Sequence, residues 1–173
     1  CVHIRGSWTH GLSFAPGKNA AQEPFGRVRV KYSTTYKSWT QHEDWAYDIV
    51  VLRLDQPIGD RVGWLGMLAA DRLDSVDLHS AGYPSDKPPA ASMWGLACRA
   101  SDGVAWDHRS YTTCDAQPGQ SGSPMWQLQG RERYIRAIVS GWSWACCDQN
   151  KPLVEDSGCR CQPACALQSI RHR

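Results

Sequence analysis

The chain has 173 residues, 42% of them hydrophobic and 21% charged, with a formal net charge of +2. At roughly 150 residues per domain, that is one domain or two small lobes, long enough to bury about 70% of the unfolded surface. Its 19 Lys and Arg and 17 Asp and Glu are scattered, so there is no basic patch to draw in nucleic acid, and no apolar run approaches the ~20 residues that span a bilayer.

The first residue is Cys1, and no charged-then-apolar leader follows it, which predicts a removed signal peptide or a start inside a longer protein. Arg27 to Tyr32 alternates, with Val28, Val30 and Tyr32 on one face and basic residues on the other, and predicts a half-buried strand. Asp48 to Leu54 is compact and β-branched and is closed by the turn Gln56-Pro57-Ile58-Gly59. Further strands are predicted over Val76 to Tyr83, Ser92 to Arg99, His108 to Thr113, Gly122 to Leu128 and Tyr134 to Trp142. Helical periodicity is weak throughout. A polar stretch from Asp71 to Ser75 predicts a lobe boundary, and beyond Trp144 the strand pattern dissolves. Many short strands parted by Gly, Pro, Asp and Ser describe an antiparallel barrel or sandwich.

Cysteines number eight, five of them at Cys146, Cys147, Cys159, Cys161 and Cys165. That density favours disulfides and a secretory route. Cys159-Arg160-Cys161 followed by Cys165 lacks the paired Cys-x-x-Cys units of a zinc site, so neither a metal nor another cofactor is expected.

The segment Gly119-Gln120-Ser121-Gly122-Ser123-Pro124 carries the chemistry. A serine between glycines can sit on a tight turn with its hydroxyl exposed, and the glycines let backbone N–H groups approach a substrate carbonyl. This string resembles the nucleophile motif of the trypsin-like serine proteases, in the form found in their glutamyl-endopeptidase-like members. Asp48 to Leu54 is similar to the family strand that opens with the catalytic aspartate, and Pro57-Ile58-Gly59, Val62-Gly63-Trp64-Leu65-Gly66, Ala81-Gly82-Tyr83-Pro84 and Met93-Trp94 follow in the same order.

The resemblance implies an all-β fold of two perpendicular, six-stranded antiparallel barrels. Residues 1–70 would be the remainder of an incomplete first barrel, residues 71–145 the second barrel with the nucleophile loop, and residues 146–173 a Cys-rich tail of unassigned structure. It implies a serine endopeptidase working through an acyl-enzyme, with Ser121 as nucleophile, Asp48 as orienting carboxylate, and the N–H groups of Gly119 and Ser121 as oxyanion donors. Asp115, Val139, Ser140, Gly141 and Trp142 would line the substrate pocket. Asp115 in its base would favour Arg or Lys, while Val139, standing where glutamyl endopeptidases carry a histidine, argues against Glu. Gln120 replaces the aspartate that pairs with a new N-terminus in many animal members, so that activation route is not expected. Trp142 is the tryptophan expected beside substrate, the others being core and cleft packing.

The family's general base is a histidine immediately before a cysteine. If Cys1 is that cysteine, the histidine is the residue preceding it, and the chain as written is expected to be nearly inactive. His3 falls two residues late, His42 is expected on a loop, and His10, His79, His108 and His172 match no motif. Cys98 and Cys114, 16 residues apart, flank a predicted hairpin and are expected to form a disulfide bracing the Ser121 loop. The expected partner is a peptide or protein substrate, acted on by a secreted monomer that binds neither nucleic acid nor membrane. The alternatives are an inactive homologue serving as a peptide- or protein-binding module, and a Cys-rich metal-binding protein.

Overall fold

A computed structural model describes residues 1–69, 73, 75–100, 105–106, 109–112, 114–145 and 162–169. The chain opens with a two-stranded hairpin, β1 (His3–Ile4) and β2 (Ser7–Trp8). Its two loop residues, Arg5 and Gly6, both have positive φ, at 48° and 75°, the combination that matches the twist of paired strands. Next, β3 (Ser13–Phe14), β4 (Val28–Thr35) and β5 (Val50–Leu54) form a three-stranded antiparallel sheet.

Between β4 and β5 lie a short helix, α1 (Lys37–His42), and a 3-10 turn over Trp45–Tyr47. The turn begins where the Asp44 side chain accepts a hydrogen bond from Ala46 N–H at 3.0 Å, and Asp48 closes it. That cap sets where the chain leaves the turn and enters β5. His42 therefore ends a helix, where a loop was expected, because α1 is too short to carry an apolar period. A second helical turn, α2 (Gly59–Val62), leads to β6 (Gly66–Met67).

The remaining strands are β7 (Val76–Gly82), β8 (Trp94–Ala100), β9 (Ala105–Trp106), β10 (Arg109–Thr112), β11 (Pro124–Gln129), β12 (Glu132–Ala145) and β13 (Gln162–Ser169). They pair antiparallel in the order β8-β7-β11-β12-β13-β10-β9, with β6 joining β12 in parallel. Along β7 burial alternates, with Leu78, Ser80 and Gly82 inward, the signature of a strand with one face on a core. That core is built of Leu73, Leu78, Ala100, Cys114, Met125, Ala137 and Val139.

Two strand readings need correction. β4 carries a bulge between Val30 and Tyr32, which reverses the facing of the residues after it. Val28 is buried while Tyr32 is 48% exposed, so Tyr32 does not share the inner face with the two valines. In the tail, residues 162–169 form a strand paired with both β12 and β10, although Pro163 and the cysteines gave no alternation there. The Asp71 end of the expected lobe boundary and residues 146–161, including Cys146, Cys147, Cys159 and Cys161, lie outside the described residues.

Candidate active site

Ser121 lies on the loop that enters β11, and the loop's own hydrogen bonds fix its path. Gln120 N–H donates to Gln117 C=O at 3.1 Å, Ser123 N–H to Gln120 C=O at 2.9 Å, and Gly122 N–H to Val139 C=O at 2.7 Å. The Gln120 side chain is buried and its Oε1 accepts from Gln117 N–H at 2.7 Å. Gly119 and Gly122 flank the serine with φ of 94° and 86°, values that L side chains rarely adopt.

At Gly119 a Cβ would also come within 2.5 Å of Tyr83 C=O, so this backbone approach admits only glycine. Among the described residues, the N–H groups of Gly119 and Ser121 donate to no protein acceptor, whereas those of Gln120, Gly122 and Ser123 are all engaged. The loop thus leaves two donors available on either side of Gln120.

Asp48 is half-buried at the head of β5, and its Oδ2 accepts from Ser140 Oγ at 2.6 Å across a separation of 92 residues. Ser140, expected to line the substrate pocket, lies on the cleft that Ser121 and Asp48 share, and its hydroxyl donates to Asp48. A cleft of about 570 Å3 takes in both Asp48 and Ser121, together with Gly122, Val139 and Ser140. Asp48 and Ser121, 73 positions apart in sequence, therefore open into one space.

The start of the chain and the 3-10 turn region also line that cleft. Cys1, Val2 and His3 line it, and Cys1 carries an exposed free thiol. His3 is 3% exposed, with its ring edge-on to Trp8 at 5.0 Å. Trp39 and Trp45 also line it, packed edge to face at 5.5 Å. Trp45 is 55% exposed, and Trp64 and Trp94 are 79% and 44% exposed, so the tryptophans are not all packing residues. Nothing local in the sequence marks Trp45, since its place depends on the Asp44 cap.

Of the other expected pocket residues, Val139 is buried and lines the cleft, and Gly141, which is not among its lining residues, lies past a bulge of β12. The Trp142 side chain lies outside the described residues. Asp115 is exposed, with its Oδ1 3.4 Å from Gln117 Nε2, and is not among the residues lining the cleft. The Cys98–Cys114 disulfide is formed, with Cα atoms 5.5 Å apart. His79 stacks on Trp126 in the large sheet, and His10 and His42 are exposed. His108 and His172 lie outside the described residues. Among the described residues no group of three His, Cys, Asp or Glu side chains is arranged to hold a metal ion.

No protein-family model matches the chain. In sequence it is 30% identical over 130 residues to the extracellular metalloprotease of Bacillus subtilis, covering 73% of this chain and 41% of that protein. It is 29% identical over 123 residues to glutamyl endopeptidase of Bacillus licheniformis, covering 70% of this chain and 38% of that one. Human serine protease 23 is 32% identical over 134 residues, which cover 71% of this chain and 34% of the relative. The chain thus spans well under half the length of these relatives.

In fold, a structure of Glu endopeptidase in complex with MPD superposes with a TM-score of 0.75 at 19% identity, covering 98% of this chain and 72% of that one. The protease Anisep from Arthrobacter nicotinovorans gives a TM-score of 0.71 at 16% identity, covering 96% and 72%. With glutamyl endopeptidase and serine protease 23 among its sequence relatives and a Glu endopeptidase superposing on nearly its whole length, the chain is a homologue of the trypsin-like serine proteases, all-β and of their chymotrypsin-like fold.

Proposed function

We propose that this chain carries the nucleophile, the oxyanion donors and the orienting carboxylate of a serine endopeptidase. The observation that supports this best is the shared cleft: Asp48 and Ser121 open into it, and Gly119 and Ser121 bring N–H groups that no described residue occupies. Ser121 Oγ attacks the carbonyl carbon of a peptide bond, and the oxygen that becomes negative is received by those two N–H groups. A general base takes the hydroxyl proton and returns it to the leaving amine; water then hydrolyses the ester to free acid and serine. Asp48, held by Ser140, accepts the second ring N–H of a histidine base and fixes its tautomer.

The base we propose is a histidine immediately preceding Cys1, because Cys1 and Val2 line the same cleft as the other two groups. The chain of 173 residues would then be nearly inactive alone, by about 10^4-fold or more. The substrate is a peptide or protein. Secretion fits the Cys98–Cys114 disulfide and the extracellular relative.

One observation favours a second reading. His3 is buried against the cleft and among the described residues has a ring contact but no hydrogen bond, so it is the one other base candidate in that cleft. A fluorophosphonate probe distinguishes the two. Labelling of Ser121 that needs residues upstream of Cys1 and is lost in Ser121→Ala supports the first reading. Labelling of the chain as written that is lost in His3→Ala supports the second. No labelling of Ser121 in the upstream-extended protein overturns the protease proposal.

A further inference from the structure

The loop that carries Gly119 does not stand alone. It rests on a strap at residues 83–85, at the end of β7. Ser85 N–H donates to Pro118 C=O at 2.8 Å, and the Gly119 backbone lies so near Tyr83 C=O that a Cβ would come within 2.5 Å of it. Between these two contacts Pro84 is buried and removes φ freedom from the strap. Any displacement of the strap therefore moves Pro118 and Gly119 with it.

The other side of the strap is tied to the first part of the chain. Tyr83 Oη donates to Lys18 C=O at 2.7 Å, a contact between residues 65 positions apart. The segment around Lys18 is itself fastened to the residues that follow the strap: Ala20 N–H donates to Ala91 C=O at 2.9 Å, and Met93 N–H donates to Asn19 Oδ1 at 2.9 Å. Lys18 Nζ closes this segment internally, donating to Ala20 C=O at 3.0 Å and to Glu23 at 2.8 Å. A continuous line of hydrogen bonds and backbone contact thus runs from Lys18 through Tyr83 to Gly119.

We propose that Tyr83 is a positioning residue for the oxyanion donor at Gly119: its hydroxyl anchors the strap against which the Gly119 loop is set. The inference rests on the protease reading above for its functional consequence and on the hydrogen bonds alone for its geometry. Tyr83 is not among the residues that line the cleft, so it acts through Gly119. An oxyanion donor that is displaced loses stabilisation made only in the transition state, which lowers the chemical step and leaves ground-state binding in place.

The test is Tyr83→Phe, which removes one oxygen atom and keeps the ring. Two readouts separate the geometry from the function. In amide spectra and hydrogen exchange on the chain itself, the Gly119 N–H resonance should shift and Ser85 N–H, which donates to Pro118 C=O, should exchange about 10-fold faster in the variant, the scale of one lost hydrogen bond, while Gly130 in the β11–β12 turn stays unchanged. An unaltered Gly119 amide overturns the tether. In the upstream-extended protein, saturation kinetics of fluorophosphonate labelling should show the maximal rate falling about 10-fold at an unchanged half-saturation concentration. Equal maximal rates in a wild type that labels overturn the functional role. If the wild type does not label, the protease reading falls while the Gly119 resonance and the Ser85 exchange still decide the tether. A thermal midpoint that drops with no change at Gly119 would mean that Tyr83 is merely structural, and would also overturn the proposal.

Discussion

Around the sheet that the Ser121 loop enters, Leu73, Leu78, Ala100 and Ala137 are fully excluded from solvent; in the sheet that Asp48 leads into, Val51 and Leu52 are 66% and 38% exposed. The first has a contiguous core tied by a disulfide. Around the second, the buried hydrophobic residues of this chain are Val28, Trp39, Ala46 and Ile58. The two halves of the site therefore differ in how they are held. Ser121 is fixed by the loop it belongs to, whereas Asp48 closes the 3-10 turn and its carboxylate is held by one side-chain bond from β12 of the well-packed sheet. Electrostatic and positioning effects in catalysis depend on such preorganisation, so under the protease proposal the packed half is the template for the other.

The largest test of this contrast is a pair of truncations. Leu78→Ala should cost about 4 kcal/mol, since transfer and cavity terms add at a fully buried site. Val51→Ala should stay within about 0.5 kcal/mol, as expected of an exposed position. Urea unfolding of both variants measures the difference, and equal costs would break the comparison. Next comes the disulfide. Replacing Cys98 and Cys114 by Ala together should lower stability by about 3 kcal/mol through the entropy of a loop of this length. It should also leave the β4–β5 pairing intact by hydrogen exchange, since that sheet lies outside the closed loop.

The link between the halves is Ser140. Ser140→Ala removes the hydroxyl that donates to Asp48, a bond to an ionised group worth about 1.5–3 kcal/mol, so kcat of the upstream-extended protein should fall about 10- to 100-fold. The thermal midpoint should move less than in Leu78→Ala. Unchanged kcat would mean that Asp48 is positioned by the 3-10 turn alone.

Much of the second sheet was legible in the sequence, because β7, β8 and β11 are strands with turns at their ends and a period of two against a core. The Ser121 loop was legible for a different reason, since only glycine tolerates the φ of Gly119 and its approach to Tyr83, and that constraint is written into the residue type. The bulge after Val30 was not, because inserting one residue changes the facing of Tyr32 without changing the composition. The β13 strand was hidden by its partners: pairing with β12 and β10 on both edges makes Gln162–Ser169 a strand despite Pro163. The Asp48–Ser140 bond and the wall formed by His3 and Trp45 are tertiary contacts, and no local pattern encodes a contact spanning 92 positions.

The smallest expected effect lies at the far end of the first half, in the segment that Tyr83 grips. Glu23 accepts from Arg27 at 2.7 and 2.5 Å and from Lys18 at 2.8 Å. The Arg27 guanidinium first, and Lys18 second, lower its carboxyl from 4.5 to about 2. A carboxyl whose folded value is depressed stabilises the fold above its unfolded value and loses that contribution as pH falls through its folded value. The contribution should therefore be complete above about pH 4.5, shrink between pH 4.5 and 2, and vanish below. The pair is solvent-facing, so it is also screened by salt. Thermal midpoints of the wild type and Glu23→Gln should differ at pH 7 in low salt, draw together in 1 M salt, and coincide near pH 2. A difference that persists at pH 2 would assign the effect of Glu23 to packing of the Lys18 segment, and the charge would have no part in holding it.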